Sequence, residues 1–345
     1  MLLEGLFLPL TTPFYPDGRL NLRKLEHNAG RYSKTPAAGL VALGESGEPS
    51  LLSDDETRLV LRSVVEASAA EKVLVAGVSR DSVAGTLDLA EYAAGLGYDA
   101  VLVGPSAVVR GEREMISYFQ MVADRSALPV VLYGRASQLP VELVVELAAH
   151  PRVIGLVDGA ESHERIEMIR SGTLGVKREV TVTAVFAAMT GRMLARQEGS
   201  AGGALISLGT LTDGGAAVAV APAKPAVKTR TKVVGFQILA GETAGMLGGL
   251  MAGAVGAMSP FAACAPQACY EVLAAWKDGD RGLAEEKQAR LLTVAKKVED
   301  ELGAVGLKYG CDLNGYYGGV ARLPQLPLAG AEREEIEGLM QGLRN

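Results

Sequence analysis

The chain has 345 residues, 48% of them apolar and 21% charged, with a formal net charge of -6. That length and apolar content suit one large barrel or two smaller domains, and no basic stripe marks a nucleic-acid surface. Aromatics are scarce at 5% against 42 glycines, a mixture that favours short strands under closely packed helices over a sandwich.

Short apolar runs alternate along the chain with glycine-containing loops and stretches of helical period, which is the pattern of βα units around a buried parallel sheet. The first predicted strand is Gly5 to Leu10, followed by Thr11-Thr12-Pro13-Phe14 and a helix over Leu22 to Tyr32. Leu40 to Leu43 is the second strand and runs into Gly44-Glu45-Ser46-Gly47-Glu48. Ser53-Asp54-Asp55-Glu56 is a capping box opening a helix to about Ala70. Val73 to Ala76 and Ala100 to Val103 are strands three and four, with helices over Asp81 to Leu96 and Glu112 to Ala123. Pro129 to Tyr133 is the fifth strand, with Pro140 near the first turn of its helix. Val153 to Val157 is the sixth, followed by a polar helix over Ser162 to Ile169.

The rhythm then breaks from Ser171 to about Lys232, where Val180 to Val185, Ala204 to Leu208 and Ala216 to Val220 are apolar pieces of an added element. Ala221-Pro222-Ala223-Lys224-Pro225 reads as an extended connection. If Ser162 to Ile169 is the sixth helix, the addition emerges on the amino-terminal face of the barrel. If the run from Thr183 to Arg196 is that helix instead, part of it reaches the opposite rim. Val234 to Ala240 resumes the pattern as strand seven, with a helix over Ala244 to Ala252, and Val255 to Ser259 is strand eight. The expected fold is therefore a TIM (β/α)8 barrel over residues 1–265, with an added element at about 171–232. A helical region over 266–345 forms a C-terminal appendage. A doubly wound open sheet is the runner-up. No G-x-G-x-x-G or Walker sequence follows a strand, so no cofactor is expected.

Cys264, Cys269 and Cys311 fit no zinc or redox spacing and read as reduced, buried thiols of a cytoplasmic protein. Met1 to Leu10 lacks the basic leader of a signal peptide. The apolar stretch Ala240 to Ala265 is broken by Glu242, Ser259 and Pro260, so it reads as a helix between two barrel strands and not as a membrane span.

The strand ends carry a resemblance. Leu8-Pro9-Leu10-Thr11-Thr12-Pro13-Phe14 resembles the first-strand motif of the dihydrodipicolinate synthase/N-acetylneuraminate lyase family. Gly44-Glu45-Ser46-Gly47-Glu48 with Leu52, Asp55 and Glu56 is similar to that family's G-T-T-G-E-S-x-x-L-x-x-x-E signature. Tyr133 stands where the family places its catalytic tyrosine. Gly306-Leu307-Lys308 and Val320-Ala321-Arg322-Leu323-Pro324 look like its carboxyl-terminal segments. The resemblance implies a small oxo acid bound as a Schiff base to a lysine ending strand six, and assembly as a dimer or tetramer. The corresponding residues here are Gly155-Leu156-Val157-Asp158, with Val157 in the lysine position. Valine forms no imine and supplies no charge, so class I aldolase chemistry is expected to be absent. Lys177 copies the motif superficially in Gly175-Val176-Lys177-Arg178-Glu179 and is read as a solvated residue of the added element. Lys308 is read as structural. Gly104-Pro105-Ser106-Ala107 lacks the family's aromatic pair, and Gly134-Arg135-Ala136-Ser137 departs from its N-x-P-x-R-T.

Residues expected at the barrel mouth also include Thr11, Ser79 and Asp158, although strand alternation with Val157 inward would turn Asp158 away from it. Tyr133 and Glu45 are the candidate catalytic pair for proton transfer, and Thr12, Ser46, Arg80, Arg135 and Glu242 are candidates for substrate binding. Glu45, Asp158 and Glu242 follow three different strands and would offer oxygen ligands to a cation, though no histidine accompanies them. No metal is expected. Two readings follow. One is a lyase, hydratase or isomerase acting on a small oxo or hydroxy acid without an imine; the other is a non-catalytic metabolite-binding or structural descendant. A homo-oligomer is expected, with neither nucleic acid nor membrane as partner.

Overall fold

A computed structural model describes residues 1–134, 139–159, 162–201 and 227–343, with side chains through residue 196 in the third of these spans. Arg135 and the apolar pieces beyond residue 201 lie outside the described residues. Eight parallel strands close into a barrel. They are β1 (Gly5–Pro9), β2 (Gly39–Ala42), β3 (Val73–Gly77), β4 (Ala100–Val103), β5 (Val130–Tyr133) and β6 (Val153–Asp158), then β9 (Gln237–Ala240) and β10 (Gly256–Ala257). The closed order β1-β10-β9-β6-β5-β4-β3-β2 excludes the open sheet.

Local chemistry sets the helix ends. Asn21 caps α1 (Leu22–Tyr32), and the Ser53/Glu56 capping box opens α2 (Asp54–Ala67) as the sequence predicts. Ser82 caps α3 (Val83–Leu96), and α4 (Glu112–Arg125) and α5 (Val141–Ala148) follow β4 and β5. Ser162 caps α6 (His163–Gly172). Strand alternation divides the apolar residues into two sets. Phe7, Val41, Val75, Leu102, Val131 and Val157 are among those filling the barrel interior, while Leu6, Leu8, Leu40 and Leu74 pack outward under the helices.

The added element is a two-stranded antiparallel sheet, β7 (Arg178–Thr183) with β8 (Thr229–Val234), and a helix α7 (Gly191–Ala201). The Thr183 to Arg196 run is thus a strand end, a turn and the start of a helix, not the sixth barrel helix. Arg178 donates to the carbonyls of Ala148 and His150, Thr190 to that of Ala70, and the Gly191 amide to Asp99. Each of these partners precedes a barrel strand, so the element sits on the amino-terminal face. Val180, Val182 and Val234 close over Leu2 there. Strand seven begins at Gln237 and not at Val234, because Val234 pairs with Arg178 inside the addition.

The barrel helix α8 (Met246–Met251) leads from β9 to β10, and the appendage comprises α9 (Pro266–Lys277), α10 (Arg281–Ala295), a π-helical turn (Lys296–Glu301), α11 (Gly303–Leu313) and α12 (Gly330–Met340). Glu299 of the π turn anchors it to the loops after β9 and β10, accepting from the Thr243 amide and hydroxyl and the Phe261 amide at 3.3, 2.5 and 3.1 Å. The three cysteines are free and buried. Among the described residues, no helix is long and apolar enough to cross a membrane.

Candidate active site

The site is organised by the bend after β2. Leu43 takes a left-handed φ of 57°, and its carbonyl passes so close to Gly77 that a Cβ there would stand 1.9 Å away. Only glycine at 77 permits that approach. The bend delivers Glu45–Gly47 as a single tight turn over the barrel mouth. The Thr12 hydroxyl donates to the Gly47 carbonyl at 2.7 Å, tying the turn to the end of the first strand.

From this turn Glu45 crosses to β5. The Tyr133 hydroxyl donates to Glu45 Oε2 at 2.8 Å, joining residues 88 apart in sequence. The two predicted catalytic candidates therefore meet. Tyr133 stands in register with Val157 on β6, and Val157 is fully buried beside Leu239 and Met258 in the barrel interior. A hydrocarbon thus lies next to the tyrosine at the strand-six position.

Of the two placements open to Asp158, the outward one holds. Strand alternation turns it outward, where it is 1% exposed and accepts from Arg165 Nε at 3.0 and 3.1 Å. Burial pushes its carboxyl above the usual range, against the pull of Arg165. It is unavailable to the mouth, so the three-carboxylate cation set does not assemble. Among the described residues, no group of three potential ligands is placed to hold a metal.

Glu45, Ser46 and Glu242 line one cavity of 740 Å³ whose far wall is the π turn, the start of α11 and the segment Pro324–Leu326. Arg80 lies elsewhere. Its guanidinium reaches Thr57 at 3.2 Å and Asp54 at 3.5 Å on α2, and it lines a separate cavity of 440 Å³ with Ser79. Lys177 is exposed immediately before β7, on the face opposite the mouth.

Sequence reasoning missed the structure that holds this rim. Lys308 on α11 is 1% exposed, and Glu48, which ends the Glu45 turn, is 3% exposed. The two form a buried ion pair. Lys308 also donates to the Val320 carbonyl at 3.1 Å and lies 4.3 Å from the centre of the Phe14 ring. Arg322 lies 4.5 Å from the same ring, donates to the Leu51 carbonyl at 2.7 Å and grips both oxygens of Glu56. Burial pushes the Glu48 carboxyl up and the Lys308 amine down, and each partner's charge opposes the other's shift. The Arg322 hydrogen bonds hold Glu56 below the usual carboxylate range. The only sequence signal was the likeness of Lys308 and Arg322 to the family's carboxyl-terminal segments, which carries no indication of what they touch.

The sequence model of the Dihydrodipicolinate synthetase family matches residues 2–194 and 219–343. A 4-hydroxy-tetrahydrodipicolinate synthase of Acidiphilium cryptum is 26% identical over 345 residues, spanning 99% of this chain and 98% of the relative. The enzyme of that name from Xanthomonas campestris is 34% identical over 171 residues, which is 48% of this chain and 57% of the relative. Among solved structures, a dihydrodipicolinate synthase of Bacillus anthracis superposes with a TM-score of 0.78 at 19% identity, covering 100% of both chains. The Escherichia coli prophage protein YagE, solved in complex with pyruvate, gives 0.76 at 22% identity, covering 99% of each.

Proposed function

Since the chain belongs to the dihydrodipicolinate synthetase family, we propose that it is a lyase-type enzyme that acts on a small oxo or hydroxy acid without forming an imine. The observation that carries this reading is the Tyr133–Glu45 hydrogen bond of 2.8 Å, standing beside Val157 where imine chemistry needs an amine. The pyruvate bound by YagE supports a 2-oxo acid as the ligand class.

In the proposed step, Glu45 takes a proton from the carbon next to the ligand's carbonyl. The C–H electron pair becomes the new C=C bond, and the carbonyl oxygen takes a proton from Tyr133 as the C=O π pair moves onto it. The proton held by Glu45 then returns Tyr133 to its phenol form along their hydrogen bond. Such positioned acid and base groups contribute about 10²–10⁴-fold. Ser46 and Glu242 orient the ligand from the cavity they share with Glu45. Thr12 acts through its grip on the turn. With Arg80 engaged by α2, Arg135 is the candidate for pairing with the ligand's carboxylate.

The test is deuterium exchange into the pyruvate methyl group, followed by NMR, beside borohydride trapping read by intact mass. Exchange without a covalent adduct is expected, falling about 100-fold or more in both Glu45→Gln and Tyr133→Phe. A trapped adduct on the wild-type chain would overturn the reading. Exchange that is absent, or indifferent to both substitutions, would favour the non-catalytic alternative.

A further inference from the structure

The cavity beside Glu45 is far larger than a three-carbon acid requires. At 740 Å³ it lies in the range of about 300–1,000 Å³ that receives drug-sized ligands. Its outer part is not barrel at all. The π turn forms one side, Ala304 and Val305 of α11 another, and Pro324, Gln325 and Leu326 cross over it as a strap. π turns interrupt helices at a cost and are often found at functional sites.

The chain leading into the strap is firmly anchored. Arg322 ties it to Leu51 and Glu56, and Lys308 holds the Val320 carbonyl. Gly318 lies so close to α11 that a Cβ there would stand 1.9 Å from the Lys308 carbonyl oxygen. Such anchoring keeps the cavity open before any ligand arrives, which lowers the ordering cost of binding. One polar group of its wall lacks a partner among the described residues: Gln325 Oε1 is buried and unpaired. A group of this kind is costly to leave unmade. Ser46 lines the same cavity and is 5% exposed. The wall also offers Leu302, Ala304 and Val305, an apolar stretch flanked by the carboxylates of Glu242, Glu299 and Asp300.

We infer that the strap and the π turn form a second subsite, in which Ser46, Gln325 and Leu326 select a ligand bearing an extended tail with an uncharged polar end. This rests on the oxo-acid reading of the Glu45–Tyr133 pair. The ligand is an oxo or hydroxy acid whose substituent runs from the mouth along the apolar wall and ends at the Gln325 amide. Gln325 and Leu326 determine specificity and take no part in proton transfer.

Calorimetry on the full chain with pyruvate, 2-oxohexanoate and 2-oxoglutaramate tests this. The last two differ chiefly in an apolar against an amide end. The wild type is expected to bind 2-oxoglutaramate about tenfold or more tightly than pyruvate, a gain that buried methylenes and one hydrogen bond supply. Gln325→Ala should erase the preference for the amide over the apolar end. Leu326→Trp, which fills the subsite, should drive the long-to-short affinity ratio toward one. Pyruvate binding with no gain from chain length in the wild type would overturn the subsite alone, with no dependence on how the variants fold. Failure of all three acids to bind would overturn the oxo-acid reading and the subsite with it.

Discussion

Replacing Lys308 with methionine removes the cation but keeps an unbranched side chain in its place. Glu48, 3% exposed, is then left buried without its counter-charge, and its Oε1 already lacks a hydrogen bond. Breaking a buried pair from one side typically costs about 3–5 kcal/mol. A second route to the magnitude agrees. The stranded carboxyl can escape its charge by taking a proton, and at pH 7 that costs a glutamate of pKa about 4.3 roughly 3.7 kcal/mol, at about 1.36 kcal/mol per unit. The pH dependence follows with a definite sign. In the variant the folded pKa of Glu48 lies above its unfolded value, so stability is fully present below the unfolded value and is lost as pH rises through the folded one. The penalty of Lys308→Met should therefore shrink by about 1.36 kcal/mol for each pH unit below neutrality, down to the ordinary glutamate range. Urea unfolding at several pH values measures this, with the m-value checked for constancy. Adding Glu48→Leu should recover most of the loss, because an apolar pair of similar volume replaces a buried ion pair at little cost. A single variant within about 0.5 kcal/mol of wild type, or a double variant as unstable as the single, would refute the assignment.

Glu56 tests the strap at its other anchor. Its depressed folded pKa gives stability that is present above the ordinary glutamate value and is lost as pH falls through the folded one. Arg322→Met should therefore lower the urea midpoint at pH 7, and the difference from wild type should shrink as pH falls below the ordinary glutamate range and Glu56 takes up its proton. Asp158→Leu leaves Arg165 buried without its carboxylate and is expected to cost about 3–5 kcal/mol by urea unfolding, with pyruvate methyl exchange retained per folded molecule. Loss of exchange in a folded Asp158→Leu protein would return that residue to the mouth. Val157→Lys places an amine beside Tyr133 and should yield a borohydride-trapped pyruvate adduct that wild type lacks, read by intact mass.

The barrel was legible because its signals are local. Apolar runs four or five residues long give strands, and Ser53 with Glu56 gives a helix start whatever the rest of the chain does. Alternation along Val153 to Val157 also placed Val157 inward. The same rule points Asp158 away from the mouth, as the structure does. The Glu45 and Tyr133 pairing was readable as two strand ends on one rim, although the 2.8 Å contact depends on a bend that only the closeness of Gly77 to Leu43 explains. What could not be read was the closure of the rim by the appendage. Arg322 meets Glu56 across 266 positions, and no periodicity encodes such a pairing. The extra strand β8 hid the start of strand seven for a related reason: its last residues, Val233 and Val234, come almost directly before Gln237–Ala240, and only the strand partners distinguish them.

On the proposed reading, valine at 157 and glutamate at 45 make chemical sense as a pair. Imine formation needs a neutral amine, and Glu45 sits on the hydroxyl of Tyr133, next to where a lysine from position 157 would rise. At about 4 Å a carboxylate stabilises an ammonium by about 1 kcal/mol even with water-like screening, the limit that suits a residue as exposed as Glu45. That raises the lysine pKa by about 0.7 and cuts the fraction of reactive amine roughly fivefold. A lysine beside that carboxylate would spend more of its time charged, whereas valine carries no charge for the carboxylate to hold. Restoring the amine should thus go further when the carboxylate is removed as well. Val157→Lys with Glu45→Thr is expected to trap pyruvate about fivefold faster than Val157→Lys alone, followed by mass at fixed times near neutral pH. Equal trapping rates in the two proteins would show that Glu45 exerts no charge at position 157 and would refute the pairing of the two residues.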